Sequence, residues 1–159
     1  MNKTRYVLNT LLQRAFKEGR TDFSPMKAQK LLFYTHGWHL AINGTPAIDK
    51  HFEVWPYGPV VEDLYHDLKM YGSGPVTTYL IEPGDTGPLV VSPSDKALYQ
   101  ALDIAWEKYI GIPAVNLSTM THETGGPWDL AKRKGLSKIP DSMIRDYFVR
   151  SATTAAAVN

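Results

Sequence analysis

Five histidines, and one run that mixes hydroxyl and acidic groups, are where this chain could do chemistry. His36 and His39 stand three positions apart, a spacing that places two imidazoles on one helical face. A third ligand from His51, His66 or His122 would make a zinc-type set. Such spacing becomes specific only inside a ligand motif of the kind metalloproteases carry, and none is present. His39 falls beside Trp38 on an apolar stripe and reads as a hydrogen-bonded core histidine, so no metal is expected. Ser118 and Thr119 beside His122-Glu123 resemble a nucleophile and its base. The Gly-x-Ser-x-Gly elbow that exposes a hydrolase serine is missing. Gly125-Gly126-Pro127 lacks the lysine and spacing of a phosphate loop. The expectation is therefore no catalytic residue and no cofactor. Ser118 sits on or caps a short helix, and His122 and Glu123 bond its free carbonyls or hold the glycine turn.

Composition narrows the partners. A chain of 159 residues suits one domain with a self-sufficient core. Lys plus Arg number 17 against 16 for Asp plus Glu, a net charge of +1, so no global field recruits nucleic acid or a membrane surface. The densest basic spots, Lys132-Arg133-Lys134 and Arg14 with Lys17 and Arg20, read as solvated surface. The short helices near Asn116 and Pro127 lack the long basic face of a helix-turn-helix reader. The absence of cysteine suits a reducing cytoplasm, the expected location. No apolar run approaches the roughly 20 residues of a membrane helix, and the polar N-terminus does not read as a signal peptide.

The elements that must position these groups are mostly helical. Residues 2–17 carry Val7, Leu8, Leu11, Leu12 and Ala15 on one face, with Asn9, Gln13 and Arg14 opposite and Gly19 as the stop. Ser24 caps a second helix, with Pro25 at its first position. Its apolar stripes (Ala28, Leu31, Leu32, Thr35, Trp38, His39, Ile42 and Phe33, Gly37, Leu40, Ala41) leave only a polar seam of Gln29, His36 and Asn43. That is the pattern of a central buried helix. Short strands follow around Ile48, Phe52 and Val54. Glycine at Gly58 lets the strand end swing, and Pro59 opens a helix with Glu62 and Asp63 in its first turn. Residues 76–81 and 89–91 read as two further strands about a Gly/Pro loop. Ser94 or Pro93 begins an amphipathic helix that Gly111 closes. Brief helices follow at 116–121, with Leu117 and Met120 inward, and from Pro127, then a last one near Pro140 with Met143, Ile144, Tyr147 and Phe148 inward. The expected fold is mainly α (α+β): residues 1–150 form one helical domain around the central helix with a small antiparallel sheet, and 151–159 a disordered tail.

Four tryptophans and nine tyrosines are more than this chemistry needs. Most belong to the core, and a few are free to form a contact surface, where such rings concentrate binding energy. Their order carries a resemblance. Gln29-Lys30-Leu31-Leu32-Phe33-Tyr34, Gly37-Trp38-His39-Leu40, Trp55, Tyr57-Gly58-Pro59-Val60-Val61, Leu64-Tyr65, Tyr71-Gly72, Leu117-Ser118, Thr121-His122 and Gly126-Pro127-Trp128 follow in sequence. Together they resemble the Panacea domain, the SocA-like antitoxin domain also found in phage-associated proteins, over residues 25–134. His36 and Pro56 depart from it, standing where a glutamine and a basic or polar residue are expected.

The resemblance implies a non-enzymatic antitoxin that neutralises a toxin protein encoded in a neighbouring gene by direct contact. The family pairs with unrelated toxin classes, alarmone-synthetase-like ones among them. Its alternatives are an adaptor that hands the toxin to a protease, or an enzyme acting on a small molecule or on the toxin. Many members add a DNA-binding domain, for which 159 residues are expected to leave no room. Partner contacts are expected around Trp55, Tyr57, His122 and Trp128. Trp38, His39, Gly58, Pro59, Gly126 and Pro127 read as structural signature.

Overall fold

Ser24 Oγ accepts the backbone N–H of Lys27, and Pro25 occupies the first helical position, so helix α2 (Pro25–Asn43) starts where the chain supplies its cap. Gly44, at φ 71°, ends it in the left-handed conformation. Every residue from Lys27 to Leu40 is buried, as an all-round apolar helix requires. The computed structural model describes residues 1–158, with side chains described through Thr154. Around α2 pack α1 (Thr4–Lys17), α4 (Lys96–Tyr109), α5 (Ala114–Thr121) and α7 (Asp141–Val158). A two-stranded antiparallel hairpin, β1 (Glu53–Trp55) and β2 (Gly58–Val60), lies beside α2 with Val54 opposite Pro59. Helices α3 (Glu62–Leu68) and α6 (Pro127–Arg133) complete the fold. Gly37 is required where α7 crosses α2, since a methyl group there would overlap the Phe148 ring.

The polar seam of α2 is used internally. His36 Nδ1 accepts the Ala47 N–H at 3.2 Å, and its Nε2 faces Asp141 Oδ1 at 2.9 Å, tying the post-helix loop and the start of α7 to one ring. Burial opposes ionisation of Asp141, but the hydrogen bond from His36 and the charge interactions with His36 and His51 together outweigh it and hold the carboxyl below its ordinary range. Asn43, at the end of the seam, is exposed.

Several expectations need correction. Residues 76–81 and 89–91 form no strand. Side chains of α1 satisfy their backbone instead: Asn9 Nδ2 donates to the Leu80 and Leu89 carbonyls, Asn9 Oδ1 accepts the Leu80 N–H, and Thr10 Oγ1 accepts the Val91 N–H. Asn9, read as a solvent-facing residue, is thus wholly buried. Arg5 adds charge to the same seam by pairing with Asp67 at 2.8 Å and Glu82 at 3.2 Å. Pro59 does not open a helix. It lies in β2, and α3 begins at Glu62. Helix α4 is capped by Asp95, whose carboxylate accepts the Leu98 N–H, two residues later than Pro93. Ile42 and Met120, expected inward, are exposed. Helix α7 runs on through Val158, across the stretch read as a tail, while Asn159 lies outside the described residues.

Replacing Asn9→Leu keeps the volume but orphans three backbone groups. A loss of about 2–3 kcal/mol is expected in urea unfolding, with faster amide exchange at Leu80 and Val91. Unchanged stability would mean that water replaces the amide at no cost.

Candidate functional site

Strands of three residues cannot hold a hairpin alone, so the turn between β1 and β2 depends on what grips it. Side chains from three helices engage its carbonyl oxygens. Trp128 Nε1 of α6 donates to the Trp55 carbonyl at 2.9 Å. His122, following α5, places Nε2 2.8 Å from the Pro56 carbonyl and Nδ1 2.6 Å from that of Ser118. Ser118 Oγ donates to the Tyr57 carbonyl at 2.7 Å, and Lys30 Nζ to the Pro59 carbonyl at 3.2 Å. Gln29 closes the row by accepting the Val61 N–H and donating to its carbonyl, both at 3.0 Å. Gly58 sits in the middle at φ 111°. A Cβ there would overlap Thr121 Oγ1 and press on the Lys30 side chain.

The gripped turn leaves its aromatic rings outward. Tyr57 is 68% exposed, and Trp55 packs on Tyr65 of α3 with ring centroids 4.9 Å apart. Behind these rings lies a mostly apolar pocket of about 180 Å³. Met26, Gln29 and Lys30 of α2 form one wall, and Trp55, Tyr57, Val60, Tyr65 and Leu68 form the others.

Lys30 is the anomaly of this pocket. Its side chain is only 1% exposed. The neighbouring buried lysine, Lys27, has Asp22 at 3.1 Å, whereas Lys30 forms no ion pair among the described residues. Among the described residues its sole acceptor is the Pro59 carbonyl, although an ammonium carries three N–H bonds. Burial without a counter-charge lowers its affinity for the proton, from an ordinary value of 10.5 to about 8.

The residues singled out by sequence therefore divide. Trp55 and Tyr57 stand at the pocket mouth. Trp128, 7% exposed, reaches the site only through its indole N–H, and its ring packs on the partly buried His122 at 4.2 Å. Gly126 is the N-cap of α6, and Pro127 its buried first residue. Trp38 and His39 lie in the core, the latter with Nδ1 2.6 Å from the Thr45 carbonyl. Lys30, Gln29 and Tyr65, although part of the quoted phrases, were not among the expected contact residues. A lysine on a helix with no solvent face was the available signal for the first.

A family model described as "Antitoxin SocA-like, Panacea domain" matches residues 29–129, most of the chain and all of the gripped turn. A curated relative, "Antitoxin SocA" of Caulobacter vibrioides (strain NA1000 / CB15N), is 29% identical over 153 residues, covering 91% of this chain and 81% of that protein. No solved structure matches. No helix among the described residues is long and apolar enough to cross a membrane.

The depressed proton affinity of Lys30 corresponds to roughly 3 kcal/mol against its charged form. Lys30→Met removes the buried charge at the expense of one hydrogen bond, so a gain of about 1–2 kcal/mol is expected at pH 7. The sign with pH follows from proton counts. Between about 8 and 10.5 the unfolded chain holds this proton and the folded one does not, so wild-type stability relative to the variant rises across that window. Parallel denaturation curves from pH 7 to 10.5 check both points. A stability difference that stays flat would refute the assignment.

Proposed function

Because the chain belongs to the SocA-like antitoxin family defined by the Panacea domain, we propose that it neutralises a toxin protein by binding it through the hairpin turn and its apolar pocket. The observation that carries this reading is an exposed tyrosine on a turn gripped at five carbonyls. A ring of this size contributes contact area with little rotamer loss, and a backbone already fixed loses little freedom on association. The groups that could have served as nucleophile and base are instead the grips: Ser118 and His122 both engage the turn. Inhibition on this reading is stoichiometric contact in the cytoplasm, without turnover or cofactor, and the toxin is the product of a neighbouring gene.

Tyr57→Ala keeps every grip, since the Ser118 bond goes to the backbone. The variant is expected to melt within 2–3 °C of wild type, yet to bind the toxin about 30-fold more weakly and to rescue growth poorly on co-expression. Rescue by wild type should require at least one antitoxin per toxin and yield an isolable complex. Rescue at far lower ratios with no complex would replace this reading with catalysis or directed degradation, and a strain without the relevant protease separates those two.

A further inference from the structure

The fold keeps the Lys30 ammonium out of water and, among the described residues, gives it no anion. Buried cations in proteins are normally paired, as Lys27 is with Asp22 and Arg5 with Asp67 and Glu82. Among the described residues Lys30 is the exception, and it is one of the residues lining the pocket behind the exposed rings of Tyr57 and Tyr65. None of the residues lining that pocket is a carboxylate, and its other titratable groups are the two tyrosine hydroxyls. From the α5 side, Thr121 and Ser118 approach the turn, and both are neutral.

We propose, resting on the toxin-binding reading above, that the pocket receives one acidic side chain of the toxin, its carboxylate pairing with Lys30 Nζ while flanking apolar residues cover Trp55, Tyr57 and Tyr65. Charge complementarity selects this occupant. A carboxylate arriving there meets a cation whose desolvation the fold has already borne, inside apolar walls that keep water from screening the pair. Two of the three N–H directions of Lys30 are uncommitted, enough for a bidentate or a bridging contact. The volume of about 180 Å³ accommodates a single side chain. The pocket thereby supplies specificity: a neutral or basic residue at that point of the partner leaves Lys30 buried and unpaired, which selects against the wrong protein.

Proton linkage reads this directly. An anion beside Lys30 raises its proton affinity, so complex formation takes up a proton wherever the free protein has lost it. With a free value of about 8, uptake per complex is roughly 0.1 at pH 7 and above roughly 0.5 at pH 8.5. Affinity is full below the free value and falls as pH rises through and beyond it, by up to ten-fold per pH unit until the bound value is reached.

The test is calorimetric titration of the full chain with the neighbouring-gene toxin, from pH 6.5 to 9.5 in buffers of different ionisation heat. The expected result is this rise in proton uptake for wild type and its loss in Lys30→Met, whose affinity at pH 7 falls at least ten-fold although the protein is more stable. Tyr57→Ala should weaken binding and leave the uptake intact. Tight binding by Lys30→Met, or binding without uptake at pH 8.5, would overturn the pocket assignment while the toxin-binding reading stands. Failure of wild type to bind the toxin at any pH would sink that reading, and the pocket assignment with it. If 10 mM 3-phenylpropionate shifts the Lys30 ε-carbon resonance but does not compete with the toxin, the occupant is a small carboxylate and the proposal fails.

Discussion

Five carbonyl oxygens in one short turn, each engaged by a side chain from elsewhere in the chain, set the conformation on which the proposed surface depends. A strand pair of three residues has too few ladder bonds to fix itself. Here Gln29 and Lys30 come from the central helix, Ser118 and His122 from α5 and its end, and Trp128 from α6. The hairpin exists in this form only when those helices are packed, and its order is borrowed from the core. The close approach at Gly58 belongs to the same constraint, since any side chain there would push Thr121 and Lys30 away from the turn.

The same arrangement explains why polar residues are so abundant inside α2. Gln29, Lys30, His36 and His39 would each destabilise a purely apolar helix–helix core if left unbonded. Three of them take partners outside the helix: Val61 for Gln29, Asp141 and Ala47 for His36, Thr45 for His39. They act as clamps between the central helix and the irregular segments around it. Lys30 is bonded but not neutralised, and the fold tolerates an energetic cost there that Lys27, one turn earlier, avoids through Asp22. Such a cost at one position, beside exposed aromatic rings, is what the proposed binding surface would use.

Much of this was legible beforehand. The cap at Ser24-Pro25, the glycine stops and the all-round apolar pattern placed α2 as the buried centre, because each is a local consequence of backbone geometry. Trp55, Tyr57, Ser118, His122 and Trp128 were visible as members of an ordered set of phrases. Their division of labour was not. An indole N–H aimed at a carbonyl 73 residues away looks the same in sequence as one aimed at a partner. The misread strands at 76–81 and 89–91 failed for a related reason: alternating β-branched and apolar residues suggest pairing, but the side chains of Asn9 and Thr10 reached those backbone groups first.

Sequence alone thus determined the mainly helical character of the chain and the ends and burial of the central helix, since caps, stops and apolar periodicity act over a few neighbouring residues. Only the tertiary structure decided which polar side chains meet which backbone groups, and therefore that Trp128 and His122 fasten the turn while Trp55 and Tyr57 line the pocket beside it. It also decided that Lys30 is enclosed without an anion among the described residues. Burial and pairing are properties of contacts between distant segments, and no local rule encodes them.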